Sequence, residues 1–158
     1  MTGTTDTPPA AQEPKPYLLL RLLALFYDLW PVVAVWMLIS ALFNAGYYLA
    51  GHGEREILQP GSPLGILLWL CCIFVTGAYA VASWARGGQT LGMRPWRLRV
   101  TGADGNAPSR VQLIRRFLFG VPSLLLGGLG FWWAWIDRDR LTWHDRASGT
   151  RMVRVAKR

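Results

Sequence analysis

Three apolar windows, in which charge nearly vanishes, constrain this chain more than any other feature. They cover Leu18 to Phe43, Leu64 to Ala85 and Phe117 to Ile136, and most ionisable side chains lie in the intervals between them. The first window would be about 39 Å long as a helix, which exceeds the roughly 30 Å of a hydrocarbon core. This pattern predicts an α-helical integral membrane protein with two clear transmembrane helices and a third hydrophobic segment.

The composition and the placement of charge agree with that class. Hydrophobic residues make up 52% of the 158 residues and nine residues are Trp, which is unusual for a soluble domain of this size. The net charge of +8 could suggest a nucleic-acid partner, but seven of the 17 Lys and Arg lie in 86–116 and seven more in 137–158, beside the apolar windows. We therefore expect a cytoplasmic face in contact with anionic lipid, and no nucleic acid.

The charge bias also predicts an orientation. Residues 1–16 are rich in Thr, Pro and Ala, which predicts a disordered N-terminal tail ahead of a membrane domain at 17–155. The connection 44–63 holds one Arg against two Glu, so we expect it outside the cell. The N-terminus and the Arg-rich region 86–116 then face the cytoplasm. His52, in the outer connection, is expected at the surface.

The third window does not fit a single crossing, because one crossing would place the cationic residues 137–158 outside. The window is rich in glycine and contains Pro122, so we favour a re-entrant or broken segment that returns to the cytoplasmic side, with a full crossing as the alternative. The stretches 97–101 and 150–155 have the β-branched, partly alternating pattern of a small strand pair. Residues 110–119 have the spacing of an interfacial amphipathic helix.

Arg21 and Asp28 are two opposite charges within the first window. A separation of seven residues puts them on one helix face, about 10 Å apart, too far for an intrahelical ion pair. Each needs a partner from another segment or from water, since an unpaired charge at the centre of a span costs about 2.5 to 3.5 kcal/mol. Arg115 and Arg116 are possible counter-charges for Asp28. Arg21 can be an interfacial anchor, and Asp28 either a satisfied packing contact or an ion or proton site.

Other clusters of polar residues give weaker signals. Asp137, Asp139, His144 and Asp145 could be assembled into a metal site, but the interleaved arginines repel a cation, and we predict no metal and no cofactor. The glycine-rich run 87–94 has neither the spacing nor the context of a nucleotide-binding loop. Catalytic motifs are absent from the sequence, so an enzyme is not expected. A membrane-embedded enzyme is the third alternative.

Three blocks of sequence resemble the RDD family of bacterial membrane proteins, which is named for one arginine and two aspartates. They are the stretch from Arg21 to Asp28, the stretch from Gly88 to Arg94 that continues to Gly105, and the stretch from Leu141 to Thr150. The resemblance implies that Asp145 is the second aspartate. The run Met93-Arg94-Pro95-Trp96 departs from the family pattern, which more usually has a basic residue and aliphatics there.

The resemblance implies a multi-pass protein of the bacterial cytoplasmic membrane. It also implies a role in transport of a small ion or solute, including cation/proton exchange, with Arg21, Asp28 and Asp145 as the polar core or ion pathway. Transport through so few spans would require a homo-oligomer. The alternative is a non-transporting scaffold or accessory subunit in which the same residues are structural. In either case Asp145 must come close to Arg21, which requires the third window to return the chain to the cytoplasmic side.

Overall fold

The computed structural model describes residues 17–51 and 59–155; the predicted tail at 1–16 and His52 lie outside these ranges. The described elements follow one another in this order: α1 (Leu18–Leu49), α2 (Pro63–Gly87), β1 (Leu98–Gly102), α3 (Arg110–Leu125), α4 (Leu129–Ile136), α5 (Trp143–Ser148) and β2 (Thr150–Arg154).

Helices α1 and α2 are both long and apolar enough to cross a membrane, as the sequence predicts. Helix α1 extends past the predicted end at Phe43 and includes Tyr47 and Tyr48. The start of α2 is fixed by Ser62, whose side chain accepts a hydrogen bond from the backbone N–H of Gly65, while Pro63 occupies the first helical position, where no N–H is needed.

The two predicted strands pair as an antiparallel ribbon. Leu98 lies opposite Arg154 and Gly102 opposite Thr150, so the observed bounds differ from the predicted ones by one residue at each of three ends. Val100 and its partner Met152 face the core, because side chains alternate between the two faces of a ribbon. The pairing joins a strand that follows α2 to a strand near the end of the chain.

The third apolar window forms a broken helix pair. Helix α3 runs unbroken from Arg110, where Ser109 and Gln112 form a capping box, so the predicted amphipathic helix and the first half of the window are one element. After α3 the chain turns by 98° into α4. Gly127 and Gly128 both have positive φ at this turn, a conformation that L side chains rarely adopt. The predicted break is therefore confirmed.

The strand pair limits the path of this broken segment. Because β1 precedes α3 and β2 follows α5, the segment leaves one sheet and returns to that same sheet. A segment of this kind crosses a bilayer an even number of times or not at all. Helix α4, with eight residues, is only about 12 Å long and cannot itself cross a hydrocarbon core of about 30 Å. The geometry of α3 and α4 matches a re-entrant hairpin, which would enter a bilayer and leave it on the same side.

The hydrophobic core lies at one end of the two long helices. Ala24 of α1 is buried there with Met93, Leu98, Val100 and Leu113, and Val81 and Trp84 of α2 pack against this cluster. We call the region from Gly88 to Arg154 the cap. The first turns of α1 pack into this core, and the following residues 29–49 measure about 31 Å as a helix, which matches a hydrocarbon core of about 30 Å.

Candidate functional site

The second aspartate of the sequence pattern, Asp145, is positioned by the short helix α5. Thr142 is the N-cap, and its side chain accepts a hydrogen bond from the backbone N–H of Asp145, while the Asp145 carboxylate accepts one from the N–H of Thr142. This reciprocal capping box satisfies two backbone donors that a helix start otherwise leaves free. Gly149 ends the helix in a left-handed conformation and leads directly into β2.

Two arginines from different helices converge on the Asp145 carboxylate. Arg21 Nη1 of α1 lies 2.6 Å from Oδ2, and Arg116 Nη1 of α3 donates to Oδ1. Arg21 also donates to Thr142 Oγ1 at 3.2 Å, and Arg116 to Thr150 Oγ1 at 2.8 Å. The Arg116 guanidinium lies over the ring of Trp84, 5.5 Å from its centroid. The cluster around this carboxylate therefore joins α1, α3, α5 and β2.

The cluster is closed to solvent and carries a surplus positive charge. Asp145 is 0% exposed, and Arg21 and Arg116 are each 3% exposed. Burial alone would raise the pKa of Asp145, but the guanidiniums of Arg116 and Arg21 outweigh this effect and hold that pKa far below its usual range. Burial also lowers the pKa of the adjacent His144, and the charge of Arg116 adds to the effect, so that it falls to about 3. His144 is therefore neutral at physiological pH.

Asp28 belongs to a second, separate site. Its carboxylate accepts hydrogen bonds from the hydroxyl of Tyr79 on α2, from the hydroxyl of Thr90 and from the backbone N–H of Gly92, at 2.9 Å for the last. The Tyr79 hydroxyl in turn accepts a bond from the N–H of Leu91 at 3.1 Å. Asp28 is half-buried and attaches the loop between α2 and β1 to both long helices.

The arrangement of charges corrects two predictions. Arg115 and Arg116 are not the counter-charges of Asp28, because Arg116 pairs with Asp145 and Arg115 is exposed. Arg21 does not reach towards an interface but is buried in the cap. Asp28 finds the partners from other segments that the sequence argument requires, and these are three neutral donors.

The structure brings Arg21 and Asp145 together across 124 positions of sequence. It leaves Asp28 out of that cluster. It also separates the residues of the disfavoured metal site: Asp137 and Asp139 both accept from Arg146, at 2.7 and 3.0 Å, while Asp145 is occupied by Arg21 and Arg116. In the described ranges, no group of three His, Cys, Asp or Glu side chains is placed to hold a metal ion.

Some partners in these sites were not predicted from the sequence. Thr142 and Asp145 have the spacing of a capping box, which would have predicted a helix start there and placed Asp145 at its third position. The hydroxyls of Tyr79 and Thr90 give no comparable signal, because a lone hydroxyl near a membrane boundary has many uses. Arg116 was singled out, but for the wrong carboxylate, since sequence spacing does not say which helix faces which.

Comparison with known proteins agrees with the sequence blocks that carry these two sites. The model of the RDD family matches residues 15–149, which include Arg21, Asp28 and Asp145. Neither a curated protein nor a solved structure is similar enough to the chain to count as a match. Since the family model covers most of the chain, this membrane protein belongs to the RDD family.

Proposed function

We propose that this chain is a membrane scaffold or accessory subunit in which Arg21, Asp28 and Asp145 hold the cap against the transmembrane helices and do not conduct ions. The observation that carries the proposal is that Asp145 is fully buried, with both carboxylate oxygens occupied by guanidinium groups of the same chain. An ion-pathway carboxylate has to exchange its partners for an ion and for water during each cycle. The buried triad of Arg21, Arg116 and Asp145 can exchange these partners only if the cap opens.

Asp28 supports the same proposal less strongly. Three donors from α2 and its following loop engage both of its carboxylate oxygens, and all three donors are neutral. The proposal gives Asp28 the role of attaching the loop to α1. It assigns no catalytic activity to the chain.

Cation/proton exchange is the second candidate, and one observation favours it. A cleft of about 70 Å³ lies between α1 and α2 and is lined by Pro31, Trp36, Thr76 and Tyr79 among others. Tyr79 also donates to Asp28, so the cleft adjoins a carboxylate that is only half-buried. The other lining residues are mostly apolar, which favours a packing gap over a water-filled path.

The proposal includes a location and partners. The arginines of the described ranges lie in the cap, near the start of α1 or at the end of α2. By the positive-inside rule, this distribution supports a cytoplasmic cap and a cytoplasmic N-terminus in a bacterial inner membrane. The net positive charge of the chain is explained by contact with anionic lipid, without a nucleic-acid partner. A homo-oligomer is required by the transport candidate and is compatible with the scaffold.

A transport assay with matched variants separates the two functions. Purified protein is placed in vesicles with a sodium or potassium gradient, and proton movement is followed with a pH-sensitive dye. The scaffold proposal predicts no cation-driven proton movement above protein-free vesicles, and a lower folded yield for Asp28→Asn.

The contrary result is proton movement in the wild type that Asp28→Asn abolishes while the yield and the melting temperature stay unchanged. Asp139→Asn serves as the control variant, because this carboxylate is exposed and its partner Arg146 keeps a second carboxylate.

A further inference from the structure

The level at which the membrane meets the cap can be located on α1. Residues 29–49 match the thickness of a hydrocarbon core, and Asp28 lies at the near end of this stretch. The backbone N–H of Gly92 donates to Asp28 and that of Leu91 donates to Tyr79. The loop between α2 and β1 therefore lies at the height of the lipid headgroups.

Exposed aromatic side chains surround this level. Phe26, Tyr27 and Trp30 are between 50% and 65% exposed. The rings of Phe26 and Trp30 meet edge to face at 6.1 Å, and Tyr27 meets Trp96 of the loop at 6.0 Å. Amphipathic aromatic side chains concentrate at membrane interfaces, where one end is apolar and the other is hydrated.

The same loop presents an apolar and a cationic side chain that the fold itself does not use. Leu91 is 50% exposed, and Arg94 is exposed three residues later. Arg94 makes no ion pair with any carboxylate of residues 17–51 or 59–155, and the nearby Asp28 is already occupied by neutral donors.

We propose that Arg94 and Leu91 of the loop, together with Tyr27 of α1, form a binding site for the headgroup of an anionic phospholipid. The guanidinium binds the lipid phosphate, a pairing that Arg makes through two parallel hydrogen bonds. Leu91 contacts the upper part of the acyl chains. The proposal rests on the proposed orientation of the cap towards the leaflet that carries anionic lipid.

The test measures lipid binding to the purified protein in detergent by native mass spectrometry. Phosphatidylglycerol is the probe and phosphatidylcholine the zwitterionic reference. The wild type is expected to prefer phosphatidylglycerol, and Arg94→Gln to lose roughly fivefold in affinity for it, since one cationic side chain at an anionic surface contributes about 1 kcal/mol. Added phosphatidylglycerol should also raise the melting temperature of the wild type more than that of Arg94→Gln.

The matched control is Arg151→Gln, because Arg151 is exposed on the outer face of the ribbon, away from the boundary. It should change the affinity less than twofold. An equal loss in both variants, or no lipid preference in the wild type, overturns the proposal, and so does displacement of the lipid by excess inorganic phosphate. Since binding is measured in detergent, the result does not depend on whether the protein transports ions.

Discussion

At the residue scale, the stability of the cap depends on one carboxylate between two guanidinium groups. Removing one partner of a buried ion pair typically costs about 3 to 5 kcal/mol, because the remaining charge stays buried without compensation. The members of this triad are not equivalent. Without Asp145, both Arg21 and Arg116 would be left facing each other, whereas without Arg21 a neutral pair of Arg116 and Asp145 would remain.

We therefore predict an order of effects. Asp145→Asn should lower the free energy of unfolding by more than 3 kcal/mol or abolish folding, and Arg21→Gln should cost clearly less. Chemical unfolding in detergent, together with folded yield, measures both. Asp139→Asn should stay within about 0.5 kcal/mol, because an exposed ion pair contributes little. A larger loss for Arg21→Gln than for Asp145→Asn would show that the carboxylate is not the centre of the cluster.

A second residue-scale prediction concerns pH. The pKa of His144 is about 3 in the folded protein and near 6.5 when unfolded, so the unfolded chain binds one more proton between these values. Stability should thus fall as the pH decreases from 6.5 towards 4, by at most about 1.4 kcal/mol per pH unit. The depressed pKa of Asp145 adds a loss only below about pH 4.

Melting temperatures between pH 7 and pH 4.5 test this expectation. His144→Phe keeps an aromatic ring against Phe131 and should flatten the slope, whereas replacing His52 should not. Equal slopes in the wild type and in His144→Phe would assign the acid sensitivity to other groups.

At the element scale, the fold depends on close approach between the loop after α2 and helix α1. A Cβ atom on Gly92 would lie 2.1 Å from the carbonyl oxygen of Ala24 and 2.8 Å from the backbone nitrogen of Asp28. Both are main-chain atoms of a helix and have no room to move. The sequence pattern marks this glycine as part of a tight exit from α2 but does not reveal that the chain touches α1 there.

Gly92→Ala should therefore separate the loop from Asp28. We expect a loss of more than 2 kcal/mol in unfolding free energy or a marked loss of folded yield, measured as for the other variants. Gly120→Ala is the control, since a Cβ on Gly120 meets no atom within 4 Å and alanine favours a helix. Wild-type stability in Gly92→Ala would mean that the loop does not pack as closely as described.

At the scale of the whole molecule, the sequence predicts the parts better than their contacts. Apolar windows, turn glycines and strand patterns sufficed for two long helices, a broken third segment and a strand pair, because those features are local. The partners of Asp28 and Arg116 could not be predicted, since they depend on how α2, α3 and the loop are placed around α1. The packing of the first turns of α1 into the core of the cap could not be predicted for the same reason.

The account rests on the return of the chain through α3 and α4 to the side that it left. Cysteine labelling with a membrane-impermeant maleimide tests this most directly, in a protein whose Cys71 and Cys72 are replaced by alanine. Ala107→Cys, Ala147→Cys and Gln59→Cys offer exposed positions before α3, after α4 and between α1 and α2. We predict that positions 107 and 147 are labelled from one side and position 59 from the other; labelling of 147 from the side of 59 would contradict the account.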